Sequence, residues 1–181
     1  MEMTGEQLIP AAQAEVWRGL NDPETLKACI SGCESIERLS DTEYTVVTTA
    51  AIGPVKAKFR GKLLLAELAP PNSYTLHFDG QGGAAGFGKG SAKVSLAAEG
   101  AGTRLSYAVK AQVGGKLAQI GSRLIDGVAK KLADDFFSAF NQKIAPPPAA
   151  AEPAPETPAG ASPLWWVIAI IAAMFLLAYF T

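Results

Sequence analysis

Apolar and polar residues alternate through five long stretches of this chain, at 44–52, 55–68, 74–82, 86–98 and 103–113, and that period of two predicts β-strands. Gly53-Pro54, Pro70-Pro71-Asn72, a glycine cluster at 80–90 and Gly100-Ala101-Gly102 separate them as turns. An opening strand at 2–9 and a weaker one at 35–39 bring the expected total to about seven, antiparallel. Two short helices are predicted between these two strands, at 14–20 and, after Asn21-Asp22-Pro23, at 24–29. From Lys116 to Ile144 the period lengthens to that of a helix, with Leu117, Ile120, Leu124, Val128, Leu132, Phe136 and Phe140 on one stripe. A curved antiparallel sheet of about seven strands gripping one long C-terminal helix buries both apolar faces, so the expected class is α+β.

Parity assigns faces to the strands, because successive side chains point to opposite sides. Val55, Ala57, Phe59, Leu63 and Leu65 share a face with Leu76, Phe78, Leu105 and Tyr107, which must meet the helix. Lys56, Lys58, Arg60, Lys62, Lys89, Lys93, Arg104 and Lys110 fall on the other face, with Asp79 the main acid among them. They are eight of the sixteen basic residues, so they define one surface. It is expected to meet anionic lipid headgroups or an acidic protein, or to serve only as a solvated sheet face.

Around the glycine cluster the inward positions are Gly80, Gly82, Gly86, Gly88, Gly90 and Ala92, where a packed core would place bulk. Three readings stand side by side: close approach of the helix, glycines placed for bends and bulges, or space kept for an apolar ligand. On the last reading the walls are Trp17, Phe59, Leu76, Phe78, Leu105, Tyr107, Ile120 and Leu124, with Gly80, Gly82, Gly88 and Gly90 as the floor.

Downstream of the domain, at 145–163, lie seven of the twelve prolines among Ala, Glu, Gly, Ser and Thr. This composition predicts an extended spacer reaching up to roughly 60 Å at about 3.1 Å per residue. Residues 164–180, LWWVIAIIAAMFLLAYF, form an uncharged run of 17 residues, about 26 Å as a helix. Tryptophans at one end and Tyr179 and Phe180 at the other complete the pattern of a transmembrane anchor. The domains expected are thus 1–144, 145–163 and 164–180. MEMTGEQLIP lacks the basic and apolar regions of a secretory signal, so the domain is expected to face the cytoplasm from the cytoplasmic membrane.

Several chemistries are excluded. A net charge of −1 offers no pull toward nucleic acid. Gly80-x-Gly82-x-x-Ala85 lies between strands, so no helix N-terminus faces a phosphate. Cys29 and Cys33 have no second pair of ligands, and the single histidine, His77, falls on the outer face, which leaves no metal site. No Gly-x-Ser-x-Gly elbow occurs, and Glu67 and Tyr107 are the only inward groups able to act as acid or base. No catalytic residue is expected, and the chain reads as a non-enzyme.

The stretch GGKLAQIGSRLIDGVAKKLADDFF at 114–137 resembles the carbon monoxide dehydrogenase G-subunit family. MEMTGEQ at 1–7, Asn21-Asp22-Pro23, GPVKA at 53–57 and GTRLSY at 102–107 carry the same resemblance, in register over residues 1–144; Ser31 stands where a proline is expected. The resemblance implies a helix-grip fold of the START-like (SRPBCC) superfamily, whose members commonly hold hydrophobic ligands between sheet and helix. It also implies an accessory role, including membrane attachment, beside a molybdenum-containing carbon monoxide dehydrogenase or a related molybdenum hydroxylase. With cavity, anchor and partner class taken together, the expected ligand is a respiratory quinone, bound non-covalently to support electron transfer.

Overall fold

The alternating stretches fold into one seven-stranded antiparallel sheet in the computed structural model, which describes residues 1–145. The strands are β1 (Glu2–Ile9), β2 (Cys33–Arg38), β3 (Glu43–Ile52), β4 (Val55–Ala69), β5 (Ser73–Gln81), β6 (Phe87–Glu99) and β7 (Gly102–Gly114). Their order is β1-β7-β6-β5-β4-β3-β2, so the first two strands in sequence form opposite edges. The short helices α1 (Gln13–Leu20) and α2 (Pro23–Cys29) carry the chain from one edge to the other. Asp22 starts α2: its Oδ2 accepts from the Thr25 amide at 2.9 Å and the Thr25 hydroxyl at 2.6 Å. Those two bonds, the hydroxyl first, hold the Asp22 carboxyl below the usual carboxylate range.

The helical region is divided. Gly121, at φ +96, interrupts it, leaving α3 (Lys116–Gln119) and α4 (Ser122–Ile144), the latter roughly 35 Å long. The single helix expected from Lys116 is therefore corrected, and so is its buried stripe. A stripe that steps by four residues drifts about 40° per step around a helix of 3.6 residues per turn, so Leu124 and Leu132 lie off the face of Phe140: Ile125, Phe137 and Phe140 are buried, whereas Leu124 and Leu132 are 45% and 40% exposed.

A second correction concerns Glu67. The β4–β5 register shifts between Ala66 and Ala69, a bulge in which Glu67 has φ +50. The extra residue reverses the parity, so Glu67 is exposed and accepts a hydrogen bond from Thr75 Oγ1 at 2.6 Å.

The apolar interior falls into two parts. The larger is built on Ile9, Val16, Leu105 and Phe140, and joins the sheet to α1, α2 and the C-terminal half of α4. The smaller has three buried side chains, Phe59, Ala85 and Leu117. It joins the β3–β4 hairpin, a single 3-10 turn (Gly83–Ala85) and α3 at the other end of the sheet. The compact unit runs from Met1 to Pro146. The rest of the spacer, from 146 on, and the anchor at 164–180 lie outside the described residues. Among the described residues no helix is long and apolar enough to cross a membrane.

Candidate functional site

Sheet, α2 and α4 enclose a cavity of about 260 Å³. Leu63 and Leu65 on β4, Tyr74 and Leu76 on β5, Ala92 and Val94 on β6, and Leu105, Tyr107 and Val109 on β7 form its floor. Ala133, Phe136 and Phe137 of α4 form the roof, and Leu20, Leu26 and Ile30 close one side. The walls are almost wholly apolar because every strand contributes only its inward positions. The polar exceptions are tyrosine hydroxyls. Tyr44 Oη donates to the Asn21 carbonyl at 3.1 Å. Neither the Tyr74 nor the Tyr107 hydroxyl has a hydrogen-bond partner among the described residues; that of Tyr107 lies over Gly5 of β1, at the edge of the sheet. Burial raises the Tyr74 phenol far above its ordinary pKa and raises that of Tyr107, so both act as neutral donors.

A more open groove of about 250 Å³ shares Ile30 and Leu63 with the cavity and runs over Phe59, Gly61, Phe78, Gly80 and Gly88. Space above these glycines is vacant. A methyl at Gly88 would find only Val113 Cγ1, at 3.8 Å, and one at Gly80 only the Gly88 carbonyl, at 3.6 Å. At Gly61 it would meet only atoms of the neighbouring strand, from 3.4 Å. No atom of α4 comes within 4 Å of any of these positions, so close helix approach is not the reason for the glycines there.

Gly82 and Gly90 have other reasons. The Phe59 ring covers Gly82, and a side chain at Gly90 would run into the Lys110 carbonyl, so a neighbouring strand requires that glycine.

The structure redistributes the expected walls. Leu76, Leu105 and Tyr107 line the cavity; Phe59, Phe78, Gly80 and Gly88 line the groove. Trp17 stands behind the cavity wall, its ring edge-on to Tyr74 at 5.5 Å. Ile120 packs in the small cluster, and Leu124 sits outside it against Gly53 of the β3–β4 turn. Ile120 goes with α3 to the other end of the sheet, and Leu124 lies where the four-residue stripe has drifted off the buried face of α4. The walls contributed by α2 and by Tyr44 and Tyr74 are additions to the expected set. Short helices give no face by period alone, though Tyr74 shares the inward parity of Leu76.

The outer face is less basic than its lysines suggest. All eight predicted residues point outward, but Arg104 is held by Glu99 and Glu6, Lys110 pairs with Glu2 at 3.3 Å, and Lys58 with Glu34 at 2.7 Å. The partners come from the edge strands β1 and β2 and from the end of β6. Lys56, Arg60, Lys62, Lys89 and Lys93 have no salt bridge among the described residues. Asp79 faces Lys62 and Lys89 in register and accepts from Gln81 at 2.6 Å. Three of the eight cations on this face are therefore paired with carboxylates, which makes it a mixed-charge surface. Among the described residues no cluster of His, Cys, Asp or Glu suits a metal ion.

An apolar cavity between a seven-stranded sheet and a C-terminal helix defines a helix-grip, START-like domain. The fold matches a START superfamily protein from Mycobacterium smegmatis at TM-score 0.61 and 12% identity, over 79% of this chain and 96% of that one. A protein from Thermus thermophilus matches at 0.61 and 17%, over 80% and 97%. The chain belongs to the carbon monoxide dehydrogenase G-subunit (CoxG) family, which matches residues 5–145. A conserved protein from Geobacillus kaustophilus is 35% identical, with TM-score 0.76, over 80% of this chain and 95% of that one. No curated protein sequence matches the chain.

Proposed function

We propose that this protein is a membrane-anchored, non-enzymatic accessory subunit that recruits a molybdenum-containing carbon monoxide dehydrogenase and holds a respiratory quinone between sheet and helix. The family supports the choice of partner, and the uncharged run at 164–180 supports the anchor. The observation that carries the ligand reading is the apolar cavity continuing into the vacant space over Gly61, Gly80 and Gly88. Close packing otherwise fills such space, because a void forfeits dispersion contacts. At about 260 Å³ the cavity suits a quinone ring with its first isoprenoid carbons, and the groove takes the next part of the tail. The free hydroxyl of Tyr74, on the cavity wall, is a donor for a quinone carbonyl. An enzyme that passes electrons to a water-insoluble acceptor gains from a carrier that offers the acceptor in a protein pocket.

The domain carries its own reporter. Trp17 is the only tryptophan in residues 1–145 and lies 5.5 Å from Tyr74, a cavity wall. Titration of residues 1–145 with a quinone bearing one isoprenoid unit should quench its emission saturably. Solvent extraction of the domain purified from membranes should release a quinone. A linear, non-saturating quench together with an empty extract would remove the ligand reading and leave a recruitment factor alone.

A further inference from the structure

Charge in this domain is segregated along the strand direction, which the sum over the chain conceals. One end of the sheet is built by residues 50–58, 81–89 and 111–125: the β3–β4 hairpin, the 3-10 turn with its flanks, and the passage from β7 through α3 into α4. These segments, bordered by Glu2 at the start of β1, which pairs with Lys110, and by Asp126 on α4, hold Lys56, Lys58, Lys89, Lys116 and Arg123 and no aspartate or glutamate. Glu34, reaching across from β2 to Lys58, supplies the one carboxylate that pairs with any of them among the described residues. The opposite end is formed by the connections at 39–43, 67–73 and 99–102, which hold Asp41, Glu43, Glu67 and Glu99, two of them paired with flanking arginines, Asp41 with Arg38 and Glu99 with Arg104. A domain polarised in this way turns its basic end toward any anionic surface.

The basic end also presents apolar groups to solvent. Leu124 is 45% exposed, lying over Gly53, and Pro54 in the same turn is exposed. Cations ringing a few protruding apolar side chains suit a lipid surface, where headgroups meet the charge and acyl chains meet the leucine. A folded acidic protein would match the charge but offers no fluid apolar layer.

We infer that this end of the domain docks on the anionic surface of a bilayer, inserting Leu124 between headgroups with Lys116 and Arg123 on phosphates. The same end closes the groove: Phe59, Ala85 and Leu117 are the buried side chains there, and α3 is flanked by Gly115 at φ +73 and Gly121 at φ +96. Docking would therefore bring the most thinly packed side of the ligand space to the membrane. That consequence rests on the ligand reading; the docking itself does not.

The test uses residues 1–145, so that the anchor plays no part. These residues hold the whole sheet and both apolar clusters, and the match covers 95% of the Geobacillus relative, a chain of about this extent. Cosedimentation with phosphatidylcholine vesicles containing phosphatidylglycerol should be strong at low salt, absent at high salt, and absent without the anionic lipid. Lys116→Gln with Arg123→Gln should weaken it about twenty-five-fold, at about fivefold per charge, whereas Lys62→Gln with Lys93→Gln on the outer face should leave it unchanged. Leu124→Trp, in a Trp17→Phe background, should shift its emission to the blue and be quenched by brominated acyl chains. No binding to anionic vesicles, an equal loss in the outer-face pair, or binding without acyl-chain quenching would each overturn the assignment. Binding that persists while Trp17 quenching by quinone fails would discard the ligand and keep the docking.

Discussion

Two glycines that look alike in the sequence have opposite roles, and a leucine at each separates them. At Gly88 the nearest atom to a new Cβ lies 3.8 Å away, so Gly88→Leu should fold and place its side chain in the groove. At Gly90 a Cβ would overlap the Lys110 carbonyl, and the strand would have to move. The expected outcome is a native circular dichroism spectrum with at least tenfold weaker quinone quenching for Gly88→Leu, and an unfolded or aggregated product for Gly90→Leu. If Gly88→Leu bound quinone as well as the parent, the groove would not be part of the site. Parity shows both glycines to be inward, but the local coil of β6 against β7 that crowds one of them has no signature in a one-dimensional pattern. Glu67 makes the same point: a single bulge residue turns the expected inward acid into an exposed one.

The long helix is legible in the sequence as an element but not as a surface. Its period is continuous there, so Leu124 and Leu132 join the stripe of Phe136 and Phe140. A step of four residues overshoots the helical turn, however, so the stripe drifts around α4 and it is Ile125, Phe137 and Phe140 that carry the packing. Energetically α4 is then uneven along its length. Phe140, with 0% exposure, stacks on Phe136 at 5.7 Å inside the larger core, and its truncation leaves a cavity. Phe140→Ala should cost about 3–5 kcal/mol, and Leu132→Ala, at 40% exposure, less than about 0.5 kcal/mol. Urea denaturation of residues 1–145 measures both. Comparable losses would mean that the N-terminal half of α4 is clamped to the sheet as firmly as the C-terminal half, leaving little freedom around the groove. The strands, in contrast, are legible almost to their ends, because turn residues mark each hairpin and one face of each strand is apolar. The small helices α1 and α2 are legible as elements but not as walls: their place across the sheet is set by the order of the strands, which no local pattern encodes.

At the scale of the molecule, the two apolar spaces make a quantitative demand on any tailed ligand. The cavity under α4 is less open than the groove over the glycines, so a quinone entering ring first buries its early isoprenoid units and leaves the rest in solvent. Each buried methylene is worth about 0.8 kcal/mol, so a five-carbon unit that is even half covered should tighten binding by roughly tenfold or more. Beyond the groove the gain should vanish. A series of quinones with identical rings and tails of increasing length, titrated against Trp17, should therefore show affinity rising over the first units and then levelling. The opposite curve would be a constant gain across the whole tail, requiring an apolar surface as long as the tail, and among the described residues the two adjoining spaces offer none of that length. A flat series from the shortest tail onward would confine the ligand to the cavity and make the glycine groove a passage, used on entry through the thinly packed end closed by Phe59, Ala85 and Leu117.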